Sequence, residues 1–240
     1  QHPLPRSIPT VAKSLKAAGY ATGCFGKWGM GYPGSGSDAI DQGFDRFFGY
    51  NHQVHAHDYF PTALDEGHGQ KNVPLKDGEY AHGRIMDEAL AWTRERATSG
   101  KPFFLFLPVT LPHGKLQATP EMLEPFKDAF ADHPKPATAR LYAAMVHRLD
   151  ADAGRVLDLL RETKVAENTL VIFLSDNGCE PTYGYDPSYF RGRGGLRGDK
   201  RSPYEGGFRT PQIAWWPGTV ARGTRTDTLT AAWDLFPTAC

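Results

Sequence analysis

Cysteine is scarce in this sequence of 240 residues: Cys24, Cys179 and Cys240 are the only three, and no two form a C-x-x-C pair. That spacing indicates neither a zinc site nor a disulfide framework, and it leaves the cellular compartment open. Charge of one sign is not in excess either, since Lys plus Arg number 27 and Asp plus Glu number 27. A nucleic-acid partner would require a basic patch, which this balance does not suggest. No apolar run approaches the roughly 20 residues of a membrane span. Repeats and low-complexity tracts are absent as well. The given residues do not open on a signal-peptide pattern, and Gln1-His2-Pro3 is not an initiator start; the stretch from Trp233 to Cys240 reads as a helix cut short after its start. The chain is therefore expected to be incomplete at both ends and to form part of a single domain over residues 1–240, long enough for one sizeable α/β core.

What is present alternates between strand and helix patterns. Thr10 can cap a helix carrying Val11, Leu15 and Ala18, and Gly19 ends it. Residues 20–25 form a short strand that leads into Gly26-Lys27-Trp28-Gly29-Met30-Gly31, a turn whose glycines let backbone approach a ligand and whose one charge is Lys27. The span 34–61 reads as irregular loop, though the aromatics of 42–50 argue that it is packed. His52, His55 and His57 lie there, and their spacing allows either a shared metal site or the wall of a polar pocket. A helix is expected over 78–98 and a buried strand over 103–109, ending at His113. Residues 115–137 read as surface loop. A long amphipathic helix follows over 139–163, with Asp150 and Asp152 as surface charges. A last strand at 211–216 and a helix from Asp227 complete the pattern. The alternation favours an α/β/α layered sandwich around a mostly parallel central sheet.

The segment that organises the rest runs from Thr169 to Arg209. Its apolar run, Leu170 to Leu174, is expected to be a strand buried on both faces. It breaks into Ser175-Asp176-Asn177-Gly178. Ligands in open α/β sheets sit beyond the carboxyl ends of such strands. Asp176 and Asn177 offer two hard oxygen ligands there, which suit Ca²⁺, or Mg²⁺, better than a soft metal. Lys200 adds a mobile positive charge for an anionic substrate. His113, just past its own strand, can exchange a proton or donate to an anion.

These segments together resemble the type I, formylglycine-dependent sulfatase family of the alkaline-phosphatase-like superfamily. The resemblance is carried by P-T-V-A-K-S-L-K-A-A-G-Y-A-T-G-C-F-G-K-W-G-M-G at 9–31, Q-G-F-D-R-F-F-G-Y at 42–50 and P-F-F-L-F-L-P-V-T-L-P-H at 102–113. It continues with D-A-D-A-G-R-V-L-D-L-L at 150–160, L-S-D-N-G at 174–178 and K-R-S-P-Y-E-G-G-F-R-T-P at 200–211. The resemblance implies hydrolysis of a sulfate monoester. It implies catalytic roles for Lys27, His113 and Lys200, and a Ca²⁺ held by Asp176 and Asn177. Where many members have G-K-W-H, this chain has Gly29. A G-K-W-G subgroup with a G-Y-N-x-Q-x-x-A-H-x-Y-x-P stretch, carried here by Gly49 to Pro61, resembles carbohydrate sulfatases and gives His57 a substrate-binding or supporting role.

The family's formylglycine arises from C/S-x-P/A-x-R, and no such sequence occurs in residues 1–240. Ser7-Ile8-Pro9-Thr10-Val11 and Cys179-Glu180-Pro181-Thr182-Tyr183 both lack the arginine. The nucleophile and the paired aspartates that complete the metal site are expected upstream of Gln1, so the chain alone is expected to be inactive. Two other readings share the same residues: a phosphodiesterase or phosphonate hydrolase of the superfamily, and a non-catalytic protein that binds sulfated glycans. The resemblance also implies a periplasmic or secreted protein, with a sulfated small molecule or glycan as partner.

Overall fold

Neighbouring residues of one strand point to opposite faces of its sheet, and the first buried strand shows where those faces lead. In the computed structural model, which describes residues 2–69 and 71–240, helix α1 (Val11–Ala17) is followed by strand β1 (Ala21–Lys27). Thr10 caps α1 as expected, its hydroxyl accepting from the Lys13 amide at 3.1 Å. On β1, Cys24 packs with Ala12, Trp28, Phe44 and Phe47, whereas Phe25 packs with Phe48, Tyr50, Ile85 and Ala89. Burial pushes the Cys24 thiol pKa up, leaving it an inert core group.

Strand β2 (Arg46–Tyr50) lies parallel to β1, within the span 34–61 whose composition reads as irregular loop. Strands β3 (Ala63–Glu66) and β4 (Lys71–Pro74) form an antiparallel hairpin beyond it, and helix α2 (Ala81–Thr98) covers one face. Strand β5 (Phe103–Phe106) pairs parallel with β1 on the other side, ending earlier than expected. The order is thus β4-β3-β2-β1-β5, a parallel core extended by one antiparallel hairpin. A Cβ on Gly49 would strike the Gly26 carbonyl, and one on Gly26 would strike the Pro108 carbonyl. Bare backbone at the strand ends is what lets the chain that delivers Lys27 run so close to its neighbours.

An ion-pair network ties three elements of this unit together. Arg46 of β2 meets Glu66 of β3 and reaches Glu88 of α2 at 3.4 Å, while Arg84 also holds Glu88 at 2.8 Å. Hydrogen bonds from Lys71 and Arg46 hold the Glu66 carboxyl below the usual carboxylate range. A depressed carboxylate stabilises the fold above its unfolded pKa, and that contribution is lost as pH falls through the lower folded value. The stability of Glu66→Gln is therefore expected to fall less between pH 6 and pH 3.5 than that of the parent. The difference should be under about 1 kcal/mol because Lys71 is largely exposed. Urea midpoints at the two pH values measure it.

A second compact unit covers residues 112–228. It holds α3 (Pro120–Leu123), the long helix α4 (Pro136–Glu162), strand β6 (Val171–Leu174), the short α5 (Glu205–Phe208) and strand β7 (Gln212–Trp215). Two expectations are corrected here. Strand β6 is not buried on both faces: it pairs antiparallel with β7 in a two-stranded sheet, and Phe173 stays 39% exposed. No further strand pairs with it among the described residues. Asp152 is not a surface charge either. It is 2% exposed, clamped by Arg148 at 2.6 Å and Arg155 at 2.8 Å along α4, and paired guanidinium groups are what make such a carboxylate tolerable in the interior. The last segment returns to the first unit as α6 (Leu235–Ala239), which packs against α1. Among the described residues, no helix is long and apolar enough to cross a membrane.

Candidate active site

His113 and Lys200 are 87 positions apart in the chain, yet Lys200 Nζ lies 3.2 Å from His113 Nε2. The other ring nitrogen settles the roles. His113 Nδ1 stands 2.7 Å from the Gly114 carbonyl oxygen, which can only accept. Nδ1 therefore carries the proton in the neutral ring, and Nε2 presents its lone pair to the Lys200 ammonium. Tyr183 walls the histidine on another side. Its ring lies against Gly114, where any Cβ would overlap it, with its centroid 5.7 Å from that of His113.

Backbone crossings hold Lys200 to the segment that carries Asp176 and Asn177. The Lys200 amide donates to the Cys179 carbonyl at 2.8 Å, and the Gly178 amide donates to the Gly207 carbonyl at 2.9 Å. A Cβ on Gly178 would collide with the Gly206 carbonyl, and one on Gly206 or Gly207 with the carbonyls of Gly198 or Ser202. The glycines of D-N-G and E-G-G are thus contact points between three layers of backbone. Arg193 clasps Asp199, the residue before Lys200, with both guanidinium arms, one of them at 2.8 Å, and this pair pushes the arginine pKa up.

Asp176 is exposed, and Asn177 is half-buried. The Asn177 amide nitrogen donates to the Gly178 carbonyl at 3.0 Å, which leaves its side-chain oxygen as the outward acceptor. No cation pairs with Asp176 among the described residues. One carboxylate and one amide oxygen fit a hard divalent cation, and they supply part of the six to eight oxygens that Ca²⁺ takes. Lys27 closes β1 in the first unit, half-buried, its amide donating to the Pro108 carbonyl at 2.8 Å. His57 ends a 3₁₀ turn over His55–His57. A cavity in that unit is lined by His52 and His55, while His57 is not among its walls.

One cluster escaped sequence reasoning. Asp38, Asp41 and His68 bring three ligand atoms within 4.8 Å of one another. His68 Nδ1 lies 3.0 Å from the buried Asp38 carboxylate, and Arg6 lies 3.6 Å from Asp41. Each carboxylate thus already has a partner, the His68 imidazole or the Arg6 guanidinium, and His68 sits too far along the chain for any local motif to reveal the grouping.

The sulfatase family model matches residues 1–240, the whole chain. The chain belongs to the sulfatase family. N-acetylgalactosamine-6-sulfatase of Sus scrofa is 31% identical over 239 residues, covering 94% of this chain and 43% of its own length. Arylsulfatase G of Rattus norvegicus is 28% identical, with 98% of this chain and 49% of its own length covered. This sulfatase chain thus spans about half the length of the curated relatives it matches. The crystal structure of Ps i-CgsB in complex with k-i-k-neocarrahexaose superposes with a TM-score of 0.86 at 28% identity, covering 99% of this chain and 53% of that one. The fold is accordingly that of the alkaline-phosphatase-like superfamily.

Proposed function

We propose that the full-length protein hydrolyses sulfate monoesters of carbohydrates, with Lys27, His113 and Lys200 acting on the ester. The observation that carries this reading is the Lys200–His113 contact, a cation beside an imidazole of fixed tautomer. An ammonium has three protons to donate. One is directed to His113 Nε2, which leaves two for the oxygens of an anionic ester. Fixed positive charge and donors aimed where charge grows on the bridging oxygen favour the transition state over the ground state. His113 Nε2 faces the same spot and can pass a proton to the departing alcohol once it carries one. Asp176 and Asn177 would hold a Ca²⁺, which when bound would offset charge on the nonbridging oxygens. The nucleophile is a formylglycine in a C/S-x-P/A-x-R segment of the full-length protein, and the site of action is periplasmic or extracellular.

A carbohydrate substrate is supported by the names of the relatives and by the saccharide bound in the Ps i-CgsB crystal. The test is to incubate the full-length protein with sulfated oligosaccharides and, separately, with an aryl phosphodiester, and to quantify the released anions by ion chromatography. Sulfate from the oligosaccharides with negligible phosphodiester cleavage is expected. The reverse pattern would overturn the reading in favour of phosphoryl chemistry, and release of neither anion would leave only a binding role.

A further inference from the structure

The hairpin β3–β4 alternates sharply between its two faces. Leu64 is fully buried and joins the core beneath α2, with Val73 packed against it. The intervening positions point the other way, so Ala63, Asp65 and Asn72 share the opposite face, and Asp65 and Asn72 are directly paired across the strands. That polar face forms one wall of a cavity of about 370 Å³. Asn51, the residue after β2, and the histidines His52 and His55 form a second wall, with Tyr32 and Pro33 nearby. The volume is near the lower end of the range for small-ligand sites.

The lining has three chemical features. It contains amides, imidazoles, a hydroxyl from Thr62 and one carboxylate, but neither Lys nor Arg. Among the described lining residues an anionic group would meet no ammonium or guanidinium and would face Asp65. The polar groups are also held in place. The Asn51 backbone N–H donates to Asp65 Oδ2 at 2.9 Å, His55 Nδ1 stands 3.9 Å from the same oxygen, and the His55 ring packs edge-on against Tyr50 at 5.1 Å. Asn51 itself is 3% exposed, so its side chain is committed to this wall rather than to solvent. Finally, Tyr32 is 50% exposed, which leaves an aromatic face available for an apolar surface.

We infer that this cavity binds an uncharged, hydroxyl-rich sugar residue of a glycan, one bearing no sulfate at the groups it buries. Hydroxyls both donate and accept, which matches a lining of amides, imidazoles and a carboxylate. The C–H face of a pyranose matches Tyr32 and Pro33. The inference rests on the sulfatase reading above for its choice of glycan, and it adds the part of the ligand that sulfate-directed residues do not recognise.

The test uses the full-length protein and the variants Tyr32→Ala and Asn72→Ala, both at exposed positions. The probes are a sulfated carrageenan hexasaccharide, a sulfated chondroitin hexasaccharide, their chemically desulfated forms and an aryl sulfate. For the hexasaccharide that is turned over, the double variant should raise KM about tenfold, the loss of one to two modest contacts. Its kcat/KM on the aryl sulfate should stay unchanged. Unchanged KM for the hexasaccharide, or an equal loss on the aryl sulfate, would overturn the inference. If neither substrate class yields sulfate, the functional reading fails instead. Calorimetric titration with the desulfated hexasaccharides then decides this one: binding that weakens in the double variant supports it, and no binding rejects it.

Discussion

Lys200→Ala in the full-length protein is expected to lower kcat for sulfate release roughly 10²–10³-fold, the magnitude typical of losing one aimed transition-state donor. The fold should survive. The backbone bond from Lys200 to Cys179 does not need the side chain, and the Arg193–Asp199 clasp beside it is untouched, so stability should stay within about 0.5 kcal/mol. Lys200→Arg should recover little, because a planar fork cannot reproduce a compact charge seated 3.2 Å from His113 Nε2. The effects of Lys200→Ala and His113→Ala should be strongly non-additive, since each removes the other's partner. Single-turnover kinetics and thermal unfolding, run on the same samples, measure both halves. A kcat within threefold of the parent would remove Lys200 from the catalytic machinery.

Gly178→Ala should fail for a different reason. Its new methyl would be driven into the Gly206 carbonyl, and backbone cannot swing aside as a long side chain can. The expected cost is about 1–3 kcal/mol of stability, with sulfate release largely lost because Asp176 and Asn177 precede the displaced residue. Gly154→Ala is the control. It lies within α4 and a Cβ there meets nothing within 4 Å, so removing glycine's chain entropy should stabilise by about 0.5–1 kcal/mol. Urea midpoints of the two variants should therefore move in opposite directions. A Gly178→Ala protein as stable and active as the parent would show that the crossing of the D-N-G and E-G-G segments is looser than its backbone contacts require.

Local rules made much of the fold legible. The Thr10 cap, the helices at 81–98 and 136–162 and the strands around Cys24 and Phe104 follow from capping chemistry and apolar spacing. Strand β2 was harder, because Gly, Asp and Arg flank its aromatics and its pairing with β1 is nonlocal. Apolarity misled at β6, where a run of apolar residues signals a strand but not how many neighbours it has. The i, i+3 and i+4 spacings around Asp152 could have revealed its arginine partners, yet the sequence does not say that this helix face turns inward. At the candidate site, the position after each strand end drew attention to His113, Asp176 and Asn177, and the need for a charge to meet an anion drew it to Lys200. The meeting of Lys200 with His113, 87 positions away, is one that no local pattern encodes. The cavity's histidine wall, His52 and His55, was legible as the side of a polar pocket, but the wall of Asp65 and Asn72 was not, because polar alternation on a short hairpin looks like ordinary solvent exposure.

The most direct test is a peptide mass map of the mature full-length protein. A C/S-x-P/A-x-R peptide whose Cys or Ser has become an aldehyde is the expected result, and it would supply the nucleophile that the sulfate-ester reading requires. A mature protein with an unmodified Thr or Ser at the nucleophile position, or with no such segment at all, would contradict the account.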